Sequence, residues 1–195
     1  MYELPYEFLE SNILRTPAKN LMNKIQHAVL ALYSYDDEPD DIDEYKTLLK
    51  GVNLIAKMPS IVCYEYMSKE HYFNRKSLVL HYPLKEYSIA ENFLYMLRED
   101  RKFTEKEANL LDVLLMLHAD HGGGNNSTFT NVVISSTNTD IYSTICGSIG
   151  SLKGPRHGGA NLKASEMMDE VIGQIGYTTD REAVKSVIRR ITGKE

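Results

Sequence analysis

Three histidines in two glycine-rich segments are the residues of this sequence best suited to chemistry. His118 and His121 precede three glycines and two asparagines in LHADHGGGNNSTFT, and His157 is followed by two glycines in SLKGPRHGGAN. Glycine lets the backbone approach a ligand closely, and imidazole changes its charge near neutral pH. Both segments are therefore candidate sites for binding or catalysis.

The first segment suggests two kinds of site, a metal centre or a pocket for a polar ligand. His118 and His121 share one helix face, and HADHGG partly matches the metallo-hydrolase pattern His-x-His-x-Asp-His. That pattern needs a histidine where this chain has Met116, and a strand where this chain continues a helix, so no metal site is predicted. We expect His118 to be a core or capping histidine bonded to a backbone carbonyl. We expect His121 to bind a polar ligand, with the amide of Asn125 nearby.

The second segment places His157 just before the expected N-terminal end of a helix. The helix dipole there disfavours a positively charged ring, so the imidazole should stay neutral and donate a hydrogen bond. A neutral histidine can polarise a carbonyl and stabilise an enol, as in triosephosphate isomerase. Whether His121 and His157 meet in space is a question for the tertiary structure.

The elements that position these histidines are all predicted to be helices. Apolar residues recur at steps of three and four, and Thr104 with Glu107 fits a capping box that begins the helix leading to His118. The segment from Ser127 to Thr137 is rich in β-branched residues, yet its helical steps and helical neighbours favour a helix. The fold class is therefore all-α. The predicted helices begin at about residue 18 and then cover about 45–67, 88–98, 104–121, 127–137, 140–152, 160–175 and 180–192.

Four further expectations concern packing. Residues 1–17 resemble a lead-in without a fold of their own, and Pro59 should kink or split its helix. Residues 68–87 should form a polar connection with His71 and His81 at the surface. Residues 110–117 are apolar on nearly every side, which predicts a buried helix.

Composition limits the class of protein. A net charge of -5 argues against a nucleic-acid-binding face, and no apolar run reaches membrane-spanning length. Cys63 and Cys146 lie in apolar helical patterns, which favours reduced core residues of a cytoplasmic protein. Four basic residues near the C-terminus are interpreted as a solvated helix face: Lys185, Arg189, Arg190 and Lys194.

The two histidine segments, at this separation, closely resemble those of citrate synthases. The stretches NLMNKIQHAVLALYSYDDEPDD, LIAKMPSIVCYEY and YSIAENFLYML are similar to the same family, so the resemblance covers nearly the whole chain. It implies the multi-helical core of the citrate synthase large domain, in a homodimer. It also implies an acyltransferase of the tricarboxylic acid cycle that condenses acetyl-CoA with oxaloacetate and hydrolyses citryl-CoA to citrate and CoA, with no metal or cofactor.

The resemblance also implies roles for individual residues. His121 looks like the histidine that binds oxaloacetate, with Asn125 beside it. His157 looks like the catalytic histidine that hydrogen-bonds the thioester carbonyl and stabilises the enol of acetyl-CoA, in agreement with the neutral donor expected from its flanks. The family's helices in this region form most of the dimer contact, which would suit the small-residue helix around Gly147 and Gly150.

The sequence departs from the family after His157. Members carry a Gly-His segment that binds substrate, then the aspartate that abstracts the acetyl proton, then arginines that hold the carboxylates. No Gly-His pair follows His157 here, and Asp169 and Asp180 come too early to be that aspartate. The expectation is therefore that residues 1–195 are a partial large domain. The N-terminal portion, small domain and C-terminal remainder would be absent, and the isolated chain would be inactive.

Two other functions compete with citrate synthesis. A 2-methylcitrate synthase would use propionyl-CoA, and the pocket that selects the acyl group would draw largely on residues outside this chain. A non-catalytic helical dimerisation module would keep the architecture without the chemistry, as the missing base suggests.

Overall fold

The computed structural model describes residues 2–120 and 122–193, with only the backbone of residues 160 and 161. Those ranges contain helices and no strand, which confirms the all-α prediction. The α-helices are α1 (Tyr6–Phe8), α2 (Leu21–Ala31), α3 (Glu44–Asn74), α4 (Ile89–Leu97), α5 (Glu105–Ala119), α6 (Asn126–Ser135), α7 (Ile141–Leu152), α8 (Gly159–Ile175) and α9 (Arg181–Thr192). A π-helix (Leu9–Leu14) follows α1, and a 3₁₀ helix (Leu32–Tyr35) follows α2. The chain divides into two compact units, residues 1–151 and 152–195.

The first unit is built around the long helix α3, which packs against α2, α4 and the π-helix. Burial of apolar side chains from these helices supplies the main favourable term in folding. The fully buried members of this core include Phe8, Ile13, Val29, Ile61 and Cys63. Cys63 is thus a core thiol as predicted, whereas Cys146, predicted to be a core residue too, is only partly buried.

The N-terminal segment is part of this core, so the prediction of an unfolded lead-in was wrong. Phe8 and Ile13 are fully buried and Leu9 nearly so. The apolar residues recur at a spacing of five, which matches the i to i+5 hydrogen bonds of a π-helix, and the N–H of Arg15 donates to the carbonyl of Glu10 at 3.1 Å. A search for the α-helical period of 3.6 residues misses this pattern.

Helix α3 continues through Pro59, so the predicted split did not occur. Proline removes one helical hydrogen bond, but Pro59 and its neighbours Ser60 and Ile61 are buried against the core. Burial of Pro59 and its neighbours in the core therefore compensates for the helical hydrogen bond that proline cannot make. The helix also extends beyond its predicted end at 67 and stops at Arg75, which adopts a left-handed conformation with φ of 56°.

The two histidines of the predicted polar connection differ in burial. His71 is exposed as expected, with Nδ1 2.8 Å from the carbonyl oxygen of Lys76. His81 is only 5% exposed, so its predicted surface position was wrong. Its Nε2 lies 3.2 Å from the carbonyl oxygen of Glu99, while Tyr64 donates a hydrogen bond to its carbonyl oxygen at 3.1 Å. These long-range partners satisfy its polar groups inside the core.

Helix α5 begins at the predicted capping box, in which Thr104 and Glu107 bond each other's backbone N–H groups. The prediction that it is buried was wrong for the chain alone, because only Ala108 is buried. Within the described residues α5 packs chiefly against α4, which covers one side. The side chains left exposed include Leu110, Val113, Leu114, Leu115, Met116 and Leu117.

Helices α6 and α7 confirm the helical interpretation of the β-branched and small-residue segments. The side chain of Ile134 from α6 lies over Gly147, and that of Gln26 from α2 lies over Gly150. A methyl group at either glycine would collide with these side chains. The small residues of α7 thus serve close packing inside the chain, and their predicted role in a dimer stays a prediction.

In the second unit, α8 packs against α9. Asp180 caps α9 at its N-terminus and Gly193 ends it in a left-handed conformation, so the bounds of α9 agree with the helix predicted over about 180–192. Lys185, Arg189 and Arg190 are exposed, which confirms the solvated basic face for these three, and Lys194 lies outside the described residues. Across the described part of the chain, no helix combines the length and apolar character needed to cross a membrane.

Candidate functional site

The first candidate corner joins the end of α5 to the start of α6. His118, in the last turn of α5, has Nδ1 2.7 Å from the carbonyl oxygen of Leu114. This confirms the predicted bond to a backbone carbonyl, although the ring is exposed rather than in the core. His121 lies outside the described residues, so its binding role stays a prediction.

Asn125 is the N-cap of α6, a role that its residue type favours. Its Oδ1 accepts hydrogen bonds from the backbone N of Ser127 at 3.3 Å and from the hydroxyl of Ser127 at 3.2 Å. The amide nitrogen of Asn125 has no hydrogen-bond partner among the described residues. The cap therefore fixes the side chain through its oxygen and leaves two N–H donors for a ligand.

The glycines between these residues have different structural roles. Gly122 adopts a left-handed conformation with φ of +63°, which disfavours any side chain, and its carbonyl accepts a hydrogen bond from Thr128 at 3.2 Å. A Cβ atom at Gly123 or Gly124 would meet no atom of the described residues within 4 Å. This part of the corner is thus open, as the ligand-binding interpretation requires.

The second candidate corner is the turn that precedes α8. The backbone N–H groups of His157 and Gly158 both donate to the carbonyl of Gly154, at 3.0 and 2.9 Å. Gly158 is the N-cap of α8, so His157 stands directly before the helix, as predicted, and its ring is exposed. A Cβ atom at Gly158 would lie 2.6 Å from the carbonyl oxygen of Leu152, so this close approach of two backbone segments requires glycine.

The two corners belong to different compact units, and His121 lies outside the described residues, so the shared site of His121 and His157 that the family resemblance implies stays a prediction. Among the described residues, no group of three or more His, Cys, Asp or Glu side chains is placed to hold a metal ion. His121 lies outside the described residues, so this statement does not cover groups that would include it. The described polar groups of these corners can donate and accept hydrogen bonds, which is the chemistry of carbonyl and carboxylate recognition.

One buried charged cluster was missed by sequence reasoning. Lys24 and Glu65 are 4% and 1% exposed, respectively. Lys24 stands at a helical step among the apolar residues Leu21, Ile25 and Ala28, and Glu65 lies inside an apolar stretch of α3. A charged residue on the apolar face of an amphipathic helix was the available signal.

Comparison with known proteins gives one consistent result. The family model described as the citrate synthase C-terminal domain matches residues 1–195. A citrate synthase of Heyndrickxia coagulans is 34% identical over 169 residues, which are 87% of this chain and 43% of that protein. A citrate synthase of Deinococcus radiodurans is 37% identical over 150 residues, which are 77% of this chain and 38% of that protein.

Solved structures with a similar fold are also citrate synthases. The citrate synthase of the archaeon Thermoplasma acidophilum, solved as a ternary complex with carboxymethyl coenzyme A and oxaloacetate, superposes with a TM-score of 0.73 at 25% identity. That superposition covers 100% of this chain and 47% of the solved chain. The chain thus spans less than half the length of each of these three relatives.

Proposed function

The chain belongs to the citrate synthase family, and from this membership we propose that it carries part of the active site of a citrate-forming acyltransferase. The reaction joins the methyl carbon of acetyl-CoA to the keto carbon of oxaloacetate, and water then hydrolyses citryl-CoA to citrate and CoA. The observation that carries the proposal is the match of the family model over residues 1–195. No metal or cofactor takes part, and CoA enters as the substrate thioester.

His157 is the proposed catalytic group of this chain. An imidazole N–H that donates to the thioester oxygen stabilises the negative charge that develops there when the acetyl group becomes an enol. Two features support the assignment: the ring is exposed, and it stands directly before the N-terminus of the long helix α8.

His121 and Asn125 are the proposed oxaloacetate-binding residues. Asn125 has two amide N–H donors without a partner among the described residues, while its oxygen is held by the cap of α6. Neutral N–H donors suit the carboxylate and keto oxygens of oxaloacetate. No side chain of the described residues lies within 4 Å of a Cβ at Gly123 or Gly124, which leaves room beside Asn125 for a small dicarboxylate.

We expect replacement of Asn125 to separate its two roles. Asn125→Ser keeps an oxygen for the N-cap and removes the amide donors, so it should raise the KM for oxaloacetate about tenfold while thermal stability changes little. Asn125→Ala should show the same KM effect and also lose about 1 kcal/mol of stability, because the cap is gone. Steady-state kinetics and thermal unfolding of both variants measure the two effects. An unchanged KM in Asn125→Ser would contradict the binding role.

The 195 residues by themselves are proposed to be inactive. After His157 these 195 residues contain no Gly-His pair, and Asp180 is their last aspartate. They therefore lack the groups that would abstract the acetyl proton and hold the second carboxylate. The decisive experiment measures thiol release from acetyl-CoA and oxaloacetate, by the complete gene product and by the 195-residue chain in parallel. Propionyl-CoA in matched reactions tests the 2-methylcitrate alternative. A complete gene product without thiol release from either thioester would overturn the synthase assignment and favour the dimerisation module.

A homodimer is the proposed assembly. Large apolar side chains are exposed on α5 and α6, and a second copy of the chain could cover them. On α6 the exposed residues include Phe129, Val132 and Val133. Sedimentation equilibrium should give twice the monomer mass, and Leu110→Glu on α5 should shift the protein toward monomer. A monomeric wild-type protein at micromolar concentration would contradict this assembly.

The cytoplasm is the proposed location. Cys63 and Cys146 are both free, and Cys63 is fully buried. Unpaired cysteines are typical of proteins kept in a reducing compartment. Fractionation of cells followed by immunodetection tests this, and a protein found only in an oxidising compartment would contradict it.

A further inference from the structure

Lys24 and Glu65 form a buried pair that the proposed synthase chemistry does not use. Lys24 lies on α2 and Glu65 on α3, and both side chains are almost completely shielded from solvent. The Nζ atom of Lys24 lies 3.6 Å from Oε1 of Glu65, which is ion-pair distance but longer than a hydrogen bond. The two charges therefore attract each other without the hydrogen bond that would strengthen the pair.

The donors of Lys24 are directed toward the N-terminal segment. Its Nζ donates to the carbonyl of Asn12 at 2.9 Å and to the hydroxyl of Thr16 at 2.7 Å. The hydroxyl of Thr16 in turn donates to the carbonyl of Asn12 at 2.7 Å. Lys24 thus ties the segment that follows α1 to the helix pair α2 and α3, and two of its three donors are already occupied.

Glu65 has no comparable partners. Neither carboxyl oxygen of Glu65 has a hydrogen-bond partner among the described residues. An ionised carboxylate that is buried without hydrogen bonds is costly, and one cation at 3.6 Å offsets only part of that cost. Protonation removes the charge and with it most of the cost.

We propose that the Lys24–Glu65 pair is a pH-sensitive element of the first unit, in which the buried Glu65 carries a proton in the folded state and that proton stabilises the fold. The pair acts on the attachment of the N-terminal segment, because Lys24 holds Asn12 and Thr16 from one side and faces Glu65 on the other. A change in the charge of Glu65 alters the field at the ammonium that makes this connection.

The electrostatics of the neighbouring groups agree with this geometry. Burial raises the pKa of Glu65 from 4.5 to about 7, and the opposite charge of Lys24 limits the rise. Burial lowers the pKa of Lys24, and Glu65 opposes that change. His27, also on α2, has its pKa lowered by burial and by the charge of Lys24. The other groups that contact Lys24 are the carbonyl of Asn12 and the hydroxyl of Thr16, which do not titrate in this range.

The sign of the pH dependence follows from linkage. Between pH 4.5 and about 7 the folded state holds the proton of Glu65 while the unfolded state has lost it, so stability falls as the pH rises through this window. The full shift corresponds to a change of roughly 10²-fold in the unfolding equilibrium constant. His27 acts in the opposite direction, because a lowered pKa makes stability rise with pH up to about 6.5.

Denaturant unfolding of the wild type and of Glu65→Gln at pH 5 and pH 8 tests the proposal. The unfolding constant of the wild type should increase by roughly 10²-fold more than that of Glu65→Gln between these pH values. His27 is present in both proteins, so its contribution cancels in the comparison. Glu86→Gln is the matched control, because Glu86 is exposed in a loop, and it should keep the wild-type pH profile.

Two further measurements keep the test independent of how well Glu65→Gln folds. In wild-type protein labelled with ¹³C at the glutamate carboxyl carbons, one resonance should titrate near pH 7 instead of near 4.5. Lys24→Met should move that midpoint to higher pH, because the opposing cation is removed. A Glu65 resonance that titrates near its ordinary value, or identical pH profiles for wild type and Glu65→Gln, would overturn the proposal.

Discussion

If His157 is the catalytic group proposed above, we expect its replacement by alanine to lower the kcat of the complete gene product by at least about 10²-fold, the usual scale for a positioned hydrogen-bond donor or acid–base group. The ring stands exposed directly before α8, and its backbone N–H is already bonded to the carbonyl of Gly154. The substitution therefore removes the side-chain donor and leaves the turn intact. Thiol release from acetyl-CoA at saturating oxaloacetate is the measurement.

The matched control is His71→Ala, which removes another exposed imidazole from a different position, on α3. It should leave kcat within twofold of the wild type. Thermal unfolding of both variants should be close to that of the wild type, since neither ring is buried. A near-normal kcat for His157→Ala would end the assignment of this histidine as catalytic.

Replacement of Phe8 by alanine destabilises the first unit by about 3–5 kcal/mol, the range for an aromatic residue removed from a packed core. Phe8 is fully buried, and its ring meets that of Tyr35 edge to face with 5.3 Å between the ring centroids. The loss combines the apolar area returned to water with the cavity left behind. Urea unfolding followed by circular dichroism measures the difference.

Tyr6→Ala is the control for this experiment, because Tyr6 belongs to the same short helix α1 and is 70% exposed. Its cost should be within about 0.5 kcal/mol, as for most surface substitutions. Equal stabilities for the Phe8 and Tyr6 variants would mean that the N-terminal segment is not part of the core in solution.

Family membership and most helix boundaries could be predicted from the sequence. Ser88 and Thr104 begin α4 and α5 through capping boxes, and Asp43 caps α3. These signals depend on atoms three or four residues apart, so each can be recognised locally. The same holds for Asn125 as a helix cap and for His157 before α8, whose flanking residues indicate a helix start.

Burial could not be predicted in the same way. His81 is buried where the chain brings it against Tyr64 and Glu99, which are 17 and 18 residues away in the sequence. Phe8 is buried because α1 lies against the core of α2 and α3. The apolar pattern of α5 indicates that it needs partners on several sides, but within the described residues it packs chiefly against α4. The partners of a hydrophobic surface are a property of the assembled structure.

The sequence by itself determined the helical class, most helix starts, the family and the residue types at the two histidine corners, since all of these rest on short-range spacing. Only the tertiary structure decided that the N-terminal segment joins the core, that α3 continues through Pro59, and that Lys24 and Glu65 are buried beside each other. The reason is physical. Hydrogen bonds such as Ser60 to the carbonyl of Tyr2, 58 residues apart, and Tyr142 to Asp36, 106 residues apart, depend on chain segments that meet only after folding.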